Sequence, residues 1–397
     1  MTKALLKLDN VIQNYIWGSK TAIGELFGIA NPTDQPQAEI WMGAHPNGCS
    51  RVADTGMLLS DLIAQDPHGV LGDYTVERFG ELPYLFKVLS AEKPLSVQVH
   101  PCKAKAIEGF ARENAQGIEL GAGNRNYKDP NHKPELVYAL TFYKAMNGFR
   151  PVADIVSLFN QAGVETLRTE IDALHAKPSS EALSAFFTVV MNLSGERKQQ
   201  AIAELLATVN RAAKTARARE AFELIKEFSQ EYADDIGLFS PLLLNVIELE
   251  PGEAMFLHAE TPHAYVKGTG LEIMANSDNV LRAGLTPKYM DVAELIDNTL
   301  FHSIAPDDIK LAPYQSDNKL SYPIPVDDFG FDIMAASAHS KSQYVRGAEI
   351  VMCIDGDVVL QSGDEEVRLI AGESAFICHH AKVYHYQGEG TLARAFN

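Results

Sequence analysis

The sequence is poor in cysteine and has no long apolar run. Its 397 residues include only four cysteines, Cys49, Cys102, Cys353 and Cys378, and no Cys-x-x-Cys motif. Four scattered thiols are too few for a disulfide framework and are typical of a reducing compartment. No apolar run approaches the ~18 residues of a membrane span, and the first residues lack the apolar stretch of a signal peptide. We therefore expect a soluble cytoplasmic protein.

Basic residues are scarce relative to acidic ones. The chain has 34 Lys plus Arg against 52 Asp plus Glu, which gives a formal net charge of −18. Because nucleic acids and anionic membranes bind basic surfaces, this balance argues against both as partners. The same balance is compatible with a small anionic substrate, which needs only a local cluster of positive groups. Nothing in the pattern demands an oligomer, so we expect a monomer that acts on a small molecule.

The remaining composition is that of an ordinary globular protein. With 46% hydrophobic and 22% charged residues, disordered, collagen-like and coiled-coil classes are excluded. Residues 1–149 have the pattern of short strands and loops, with period-two alternation from Leu95 to His100 and a helix at about Cys102–Asn114. From 150 to 239, apolar residues recur three or four apart between charges, which predicts a helical domain inserted into a β fold.

A weak internal repeat marks the last part of the chain. Residues 250–256 resemble residues 370–376, and a Gly-x-Gly at 268–270 recurs at 388–390. Two strands joined by a Gly-Glu turn, followed by a Gly-x-Gly turn, favour a small antiparallel jelly-roll barrel, and the repeat indicates two of them. We predict a mainly β fold with an α-helical insertion, divided into a first barrel segment 1–149, an inserted helical domain 150–239, a second barrel segment 240–318 and a C-terminal barrel 319–397.

Polar side chains on the predicted strands form a candidate metal site. Gln98 and His100 lie two apart on one strand face, with Cα atoms roughly 6.6 Å apart, so both can reach one ion. Glu135 shares a face with Lys133, and His263 begins a polar strand face. Singly, each is more often a solvated residue or a surface ion pair. Together, an amide, two imidazoles and a carboxylate suit zinc with one position left for water or substrate.

A second group of polar residues follows His263. The next predicted strand turns Glu272, Met274, Asn276 and Asp278 to one face. Buried carboxylates without partners cost several kcal/mol, so this face needs cations or a ligand. Arg282 and Lys288, in the loop that follows, are candidates to supply positive charge for a phosphate.

Five stretches of the chain resemble type I mannose-6-phosphate isomerases, a family of zinc-dependent cupin enzymes. The stretches are residues 13–19, 39–46, 82–101, 126–136 and 251–289. The resemblance implies one zinc ion per chain, bound by Gln98, His100, Glu135 and His263. It also implies that Arg282 is an active-site arginine. The other positions that match residues around the family's pocket are Trp17, Glu39, Lys87, Ser96, Lys133, Tyr265, Glu272, Asp278 and Lys288. His258 matches no ligand position.

The implied reaction interconverts mannose 6-phosphate and fructose 6-phosphate through an enediolate that the metal stabilises. Glu272 and Lys133 are the leading candidates for the base, and the roles of Arg282 and Lys288 stay open. An iron-dependent cupin oxygenase and a non-catalytic sugar-phosphate-binding cupin are the two alternatives. At the repeat offset Val383 replaces His263, so we predict no metal in the C-terminal barrel despite three histidines there, His379, His380 and His385.

Overall fold

The computed structural model describes residues 3–210 and 213–397. Two short segments lie outside the described residues. They are residues 1–2, at the N-terminus expected to lack a signal peptide, and residues 211–212, in the predicted helical insertion. The strands are β1 Leu5–Asp9, β2 Val11–Gln13, β3 Glu39–Met42, β4 Arg51–Val52, β5 Tyr84–Ala91, β6 Gln98–Val99, β7 Glu135–Ala139, β8 Tyr143–Phe149, β9 Leu244–Leu249, β10 Ala254–Leu257, β11 His263–Ala275, β12 Leu281–Arg282, β13 Tyr314–Ser316, β14 Lys319–Ser321, β15 Gly330–Ala336, β16 Lys341–Tyr344, β17 Glu349–Ser362, β18 Glu365–Ile370, β19 Ser374–Ile377 and β20 Val383–Phe396. The α-helices are α1 Ala22–Phe27, α2 Leu59–Gln65, α3 Pro67–Leu71, α4 Asp73–Phe79, α5 Lys103–Ala115, α6 Val152–Ala162, α7 Arg168–Ala176, α8 Ser180–Met191, α9 Gly195–Val209, α10 Ala216–Ser229, α11 Ser240–Leu243 and α12 Val292–Asp297.

The strands form two ten-stranded antiparallel sheet systems. One has the order β10-β7-β11-β5-β3-β2, with β6 and β8 also paired to β11, β12 to β6 and β9 to β8. The other has the order β13-β14-β15-β20-β17-β19-β1-β4, with β16 on β20 and β18 on β17. The predicted mainly β fold with a helical insertion is confirmed. In the described ranges, no helix combines the length and hydropathy of a membrane span.

The longest strand of the first system, β11, bends where a turn is predicted. Its first residues pair with β6 and β8, and its later residues pair with β5 and β7. The bend is built on Gly268, which has a φ of 119°. A Cβ there would lie 2.4 Å from the carbonyl oxygen of Phe142. The predicted Gly-x-Gly turn is therefore wrong: the strand continues through Gly268 from one sheet into the next, and its register irregularity lies just before it, between Tyr265 and Lys267.

The Gly-Glu turn of the repeat is present in both copies. In the first, the backbone N–H of Glu250 donates to the Glu253 carboxylate at 2.9 Å, and in the second that of Ile370 donates to Glu373 at 3.0 Å. In the first copy the strands on either side pair with different neighbours, β9 with β8 and β10 with β7, so the turn is a corner between sheets. In the second copy β18 and β19 both pair with β17.

The strand predicted over Leu95–His100 is shorter in the structure. Only β6, Gln98–Val99, has regular pairing, and the preceding residues bond singly, with the Leu95 N–H donating to the Tyr265 carbonyl at 2.9 Å. Val97 and Val99 are buried, as the alternation predicts. The helix expected at Cys102–Asn114 runs one residue later, as α5.

The helical insertion supports the candidate site from outside. Helices α6 to α11 lie between β8 and β9, and side chains at helical spacing bury one face of each. In α10, Ala218, Phe222 and Ile225 are buried, and the Thr215 hydroxyl caps the helix by accepting from the Ala218 N–H at 3.2 Å. The same apolar core includes Val97 and Val99, so the helices fix the segment that carries Gln98 and His100.

The two sheet systems share a core. Residues of both, such as Phe86 and Phe331, pack together with ring centroids 6.1 Å apart. The buried Tyr84 hydroxyl contacts the carbonyl oxygens of Ala348 and Ala395, each at 3.0 Å. Strand β1, within the segment assigned to the first barrel, pairs with β19 of the C-terminal one. The two barrels are therefore joined by side-chain packing, by hydrogen bonds and by the pairing of β1 with β19.

Candidate active site and metal centre

Two histidines and a glutamate meet inside the first sheet system. His100, Glu135 and His263 are 1%, 2% and 3% exposed. The Nε2 atom of His100 lies 3.5 Å from Glu135 Oε1, and that of His263 lies 3.4 Å from Glu135 Oε2. Their potential ligand atoms all lie within 4.8 Å of one another. Side chains from three distant parts of the sequence are thus close enough to bind a single ion.

Backbone carbonyls orient both imidazole rings. His100 Nδ1 donates to the Asn279 carbonyl at 2.7 Å, and His263 Nδ1 donates to the Thr261 carbonyl at 2.8 Å. A ring that carries its proton on Nδ1 has a lone pair on Nε2. His100 Nε2 is buried and has no hydrogen-bond partner among the described residues. Burial, with the nearby Lys133 charge, lowers the pKa of His100 to about 4, so the ring is neutral as a ligand requires.

Glu135 is held as a carboxylate. Burial opposes its charge, but the ammonium of Lys133, with Nζ at 2.9 Å, outweighs burial and holds the pKa of Glu135 well below its ordinary value. The Tyr265 hydroxyl contacts Glu135 Oε2 at 3.0 Å. Two imidazole nitrogens and one carboxylate are a donor set that suits zinc, so the residues fit the implied ion.

Gln98 lies next to this group. It is opposite His263 in the pairing of β6 with β11 and opposite Arg282 in the pairing with β12. Its amide nitrogen donates to the Ser96 hydroxyl at 3.3 Å. The amide oxygen is therefore the atom that remains for a metal.

The group opens into a cavity of about 430 Å³. All of the site residues that the sequence predicts line it, except the more deeply buried His100. These lining residues are Trp17, Glu39, Lys87, Ser96, Gln98, Lys133, Glu135, His263, Tyr265, Glu272, Asp278, Arg282 and Lys288. Met274 lines it too, but Asn276 follows the end of β11 and instead contacts Glu81 at 3.4 Å. The predicted polar face is therefore wrong at Asn276.

One wall of the cavity is a buried charged network. Lys87 Nζ lies 2.7 Å from Glu272 Oε2 and 3.7 Å from Glu39 Oε1. Burial disfavours the ammonium, but Glu272 and Glu39 outweigh it and raise the pKa of Lys87. Trp41 Nε1 donates to Glu39 at 2.6 Å. The Tyr265 hydroxyl contacts Glu272 Oε1 at 2.8 Å, which links this network to Glu135.

A cluster of three cations also lines the cavity. Its members are Arg282, Lys288 and Lys128. Burial lowers the pKa of Lys288, and repulsion from Arg282 and Lys128 lowers it further. Within the described ranges, no carboxylate forms an ion pair with any of the three. Cations without carboxylate partners in a cavity favour an anionic ligand there.

Sequence reasoning missed part of the lining. Lys128 lies in a loop without periodicity, so its direction was not predictable, although it belongs to a stretch that carries the family resemblance. Asn47 donates to Asp278 at 3.1 Å, and His45 Nε2 lies 3.4 Å from the same carboxylate. The turn at Pro46-Asn47-Gly48 was the only local signal for these contacts.

The C-terminal histidines have other contacts. His379 contacts Lys382, His380 contacts the Gly69 carbonyl, and His385 contacts the Ser342 hydroxyl. Of the residues that the structure describes, the one group of metal-ligating side chains found is that of His100, Glu135 and His263. The absence of metal from this barrel stays a prediction.

Relatives and solved structures agree with this geometry. Mannose-6-phosphate isomerases of Salmonella typhimurium and Escherichia coli are 49% and 48% identical over 394 residues, covering 98% of this chain and 99% of each relative. The human mannose-6-phosphate isomerase is 35% identical over 381 residues, 89% of this chain and 88% of its own. A crystal structure of mannose 6-phosphate isomerase bound with zinc and yttrium has a TM-score of 0.93 at 49% identity, covering 100% of both chains.

Family models match most of the sequence. The catalytic domain of type I phosphomannose isomerase matches residues 5–152, and its helical insertion domain matches residues 162–244. The cupin domain of mannose-6-phosphate isomerase matches residues 318–397. These matches confirm the resemblance carried by the five sequence stretches. The chain belongs to the type I phosphomannose isomerase family.

Proposed function

We propose that this chain is an enzyme that interconverts mannose 6-phosphate and fructose 6-phosphate through an enediolate, with one zinc ion per chain. The observation that carries the proposal is that the buried His-Glu-His group opens into a cavity lined by three cations that have no carboxylate partner among the described residues. Relatives that share half of the sequence bear the name of this activity, and one similar structure is described as zinc-bound.

The four side chains proposed as zinc ligands are Gln98, His100, Glu135 and His263. A bound zinc ion supplies Lewis-acid stabilisation of the oxyanion that develops beside the reacting carbon. Only one of the four ligands is anionic, so the ion would keep its positive character. The carbonyls of Asn279 and Thr261 fix the direction of the two imidazole rings.

We assign the phosphate to the cluster of three cations in the cavity. Arg282 is half-buried and has a guanidinium that can donate two parallel hydrogen bonds to a phosphate. Lys128 and Lys288 add charge at the cavity mouth. Because the whole protein carries a charge of −18, long-range steering of a dianion is poor, and short contacts must provide the affinity. The remaining lining residues, Trp17, Glu39, Lys87, Ser96, Tyr265 and Asp278, shape the sugar-binding volume.

The geometry favours Glu272 over Lys133 as the base. Lys133 Nζ is 2.9 Å from Glu135 Oε1, so its contacts are directed to a proposed metal ligand. Glu272 lines the cavity and is held by Lys87 and Tyr265. Those two contacts fix the direction of its carboxylate.

Replacing Glu272 with glutamine is expected to lower kcat by at least about 100-fold, the contribution typical of a positioned base. Steady-state turnover with mannose 6-phosphate measures it, with zinc content checked in the same sample. Glu248→Gln, an exposed strand position, is the control and should leave kcat within about twofold. Near-native turnover in Glu272→Gln would remove this residue as the base.

Removal of zinc is expected to abolish the isomerase activity reversibly. A coupled assay for fructose 6-phosphate, run with and without a chelator and then with zinc returned, tests the proposed function directly. Metal analysis should find one zinc per chain. Two tightly held ions would contradict the metal-free C-terminal barrel. Substrate-dependent oxygen uptake would favour the oxygenase alternative, and binding without turnover would favour the non-catalytic one.

The domain division also belongs to this proposal. We place the catalytic cupin barrel in residues 1–149 and 240–318, the helical insertion in 150–239 and the metal-free barrel in 319–397. We further propose that the enzyme works as a cytoplasmic monomer. Because acidic residues outnumber basic ones, we propose neither nucleic acid nor a membrane as a partner.

A further inference from the structure

Asn279 lies directly behind the proposed metal centre. It is 0% exposed, and its backbone carbonyl accepts the Nδ1–H of His100 at 2.7 Å. It stands in the loop between β11 and β12, so no regular sheet pairing fixes this carbonyl. Its direction must come from other contacts.

The Asn279 side chain provides these contacts with both ends of its amide. Its Oδ1 accepts the backbone N–H groups of Lys128 and Asp129 at 2.6 and 3.2 Å. Its Nδ2 donates to the carbonyls of Asp129 and Asn131, each at 2.8 Å. One buried amide thus joins the loop before β12 to the loop that leads into β7 and Glu135.

Two neighbouring side chains complete the junction. The Ser277 hydroxyl donates to Asp129 Oδ1 at 2.8 Å and accepts the Asn279 N–H at 3.2 Å. Asp129 Oδ2 accepts the Asp278 N–H at 2.7 Å. With its own N–H and its side chain both fixed, the Cα of Asn279 is held in place, and its carbonyl is positioned by that Cα and by the Nδ1–H of His100.

We propose that Asn279 is a positioning residue for the metal centre. Its side chain holds the carbonyl that aims His100 Nε2 at the metal position, and it holds the backbone of Lys128, one of the three cations that line the cavity. The inference rests on the proposed function only in taking the His-Glu-His group as a divalent-metal site. Hydrogen bonds behind a metal-ligating histidine fix its tautomer and ring direction, and their loss weakens metal binding.

Residue chemistry explains why asparagine is needed. Alanine at 279 would leave the N–H groups of Lys128 and Asp129 and the Asp129 carbonyl without partners, so the loop would shift to reach water. Aspartate would keep the acceptor but lose both donors, and it would place a second carboxylate beside Asp129. Only an amide of this length satisfies donors and acceptors together.

Asn279→Ala is expected to bind zinc about 10- to 100-fold more weakly than the unsubstituted chain. Competition between the apoprotein and a chromogenic zinc chelator measures this without reference to turnover. The visible spectrum of the cobalt(II)-loaded variant should also change, because it reports ligand geometry. Asn298→Ala is the matched control: Asn298 is 0% exposed too, and its amide donates to the Tyr127 hydroxyl at 2.8 Å and to the Glu294 carbonyl at 2.9 Å. It should lose stability but keep zinc affinity within about threefold.

Ser277→Ala is the second variant, in case Asn279→Ala does not fold. Thermal unfolding identifies that case, and the milder change should still weaken zinc binding about threefold or more. A folded Asn279→Ala with unchanged zinc affinity and an unchanged cobalt spectrum would overturn the proposal, as would equal losses in Asn298→Ala. Failure of the proposed function would give a different result from failure of this inference: the unsubstituted chain would bind zinc normally but show no isomerase turnover.

Discussion

His263→Ala is expected to reduce isomerase turnover by at least about 1,000-fold, or about 4 kcal/mol of transition-state stabilisation. The substitution removes one of the two imidazole donors. It also removes the neighbour of Glu135 Oε2, which lies 3.4 Å from His263 Nε2 in the unsubstituted chain. A site with one imidazole, one amide and one carboxylate holds zinc weakly. Turnover and bound zinc should therefore fall together, which kinetics and metal analysis of the same preparation will show.

His258→Ala provides the matched control for this experiment. His258 is five residues earlier and exposed, and it lies outside the cavity that holds the candidate ligands. Its removal should leave both turnover and zinc content within about twofold. A His263→Ala protein that keeps full zinc and near-native turnover would contradict the proposed ligand set.

Arg282→Ala is expected to lower kcat/KM by about 10- to 150-fold. The estimate corresponds to the loss of one charge-assisted contact, worth about 1.5–3 kcal/mol. The loss should exceed that at any surface arginine, because Arg282 faces the cavity with no carboxylate partner in the part of the chain that the structure describes. Zinc content should not change. Inorganic phosphate should also become a weaker competitive inhibitor, a readout specific to anion binding.

Arg219→Ala is the control for the loss of a positive charge. Arg219 is exposed on α10, so its replacement should leave kcat/KM within about twofold. Arg282→Lys should recover only part of the activity, since an ammonium cannot form the paired contacts of a guanidinium. A small loss in Arg282→Ala, similar to that of Arg219→Ala, would remove Arg282 from the phosphate site.

The candidate site was more predictable from sequence than the fold around it. Gln98, His100, Glu135 and His263 each lie in a short motif, and a metal site is defined by residue types that such motifs preserve. The structure places His100, Glu135 and His263 within reach of one another and Gln98 opposite His263 in the strand pairing, and their role as ligands stays a prediction. Their supporting contacts were not predictable, because the carbonyls of Asn279 and Thr261 have no signature in the side-chain pattern.

The sequence predicts the fold class but not the order in which the strands pair. Alternation and composition distinguish strands from the helical insertion, since those signals are local. The continuity of β11 through Gly268 was not predictable, because a glycine supports a turn and a bulge equally well. Nor does any local signal pair β1 with β19, whose partners are separated by almost the whole chain.

That pairing sets the order in which a newly made chain can fold. Strand β1 presents Leu5, Leu6 and Leu8, whose burial requires strands made last. At ribosomal speeds of about 5–20 residues per second, the first strand waits on the order of tens of seconds for its partner. Pairing of β1 within the C-terminal barrel therefore cannot precede the synthesis of β19, and Leu5, Leu6 and Leu8 lack their partner residues on that strand until then.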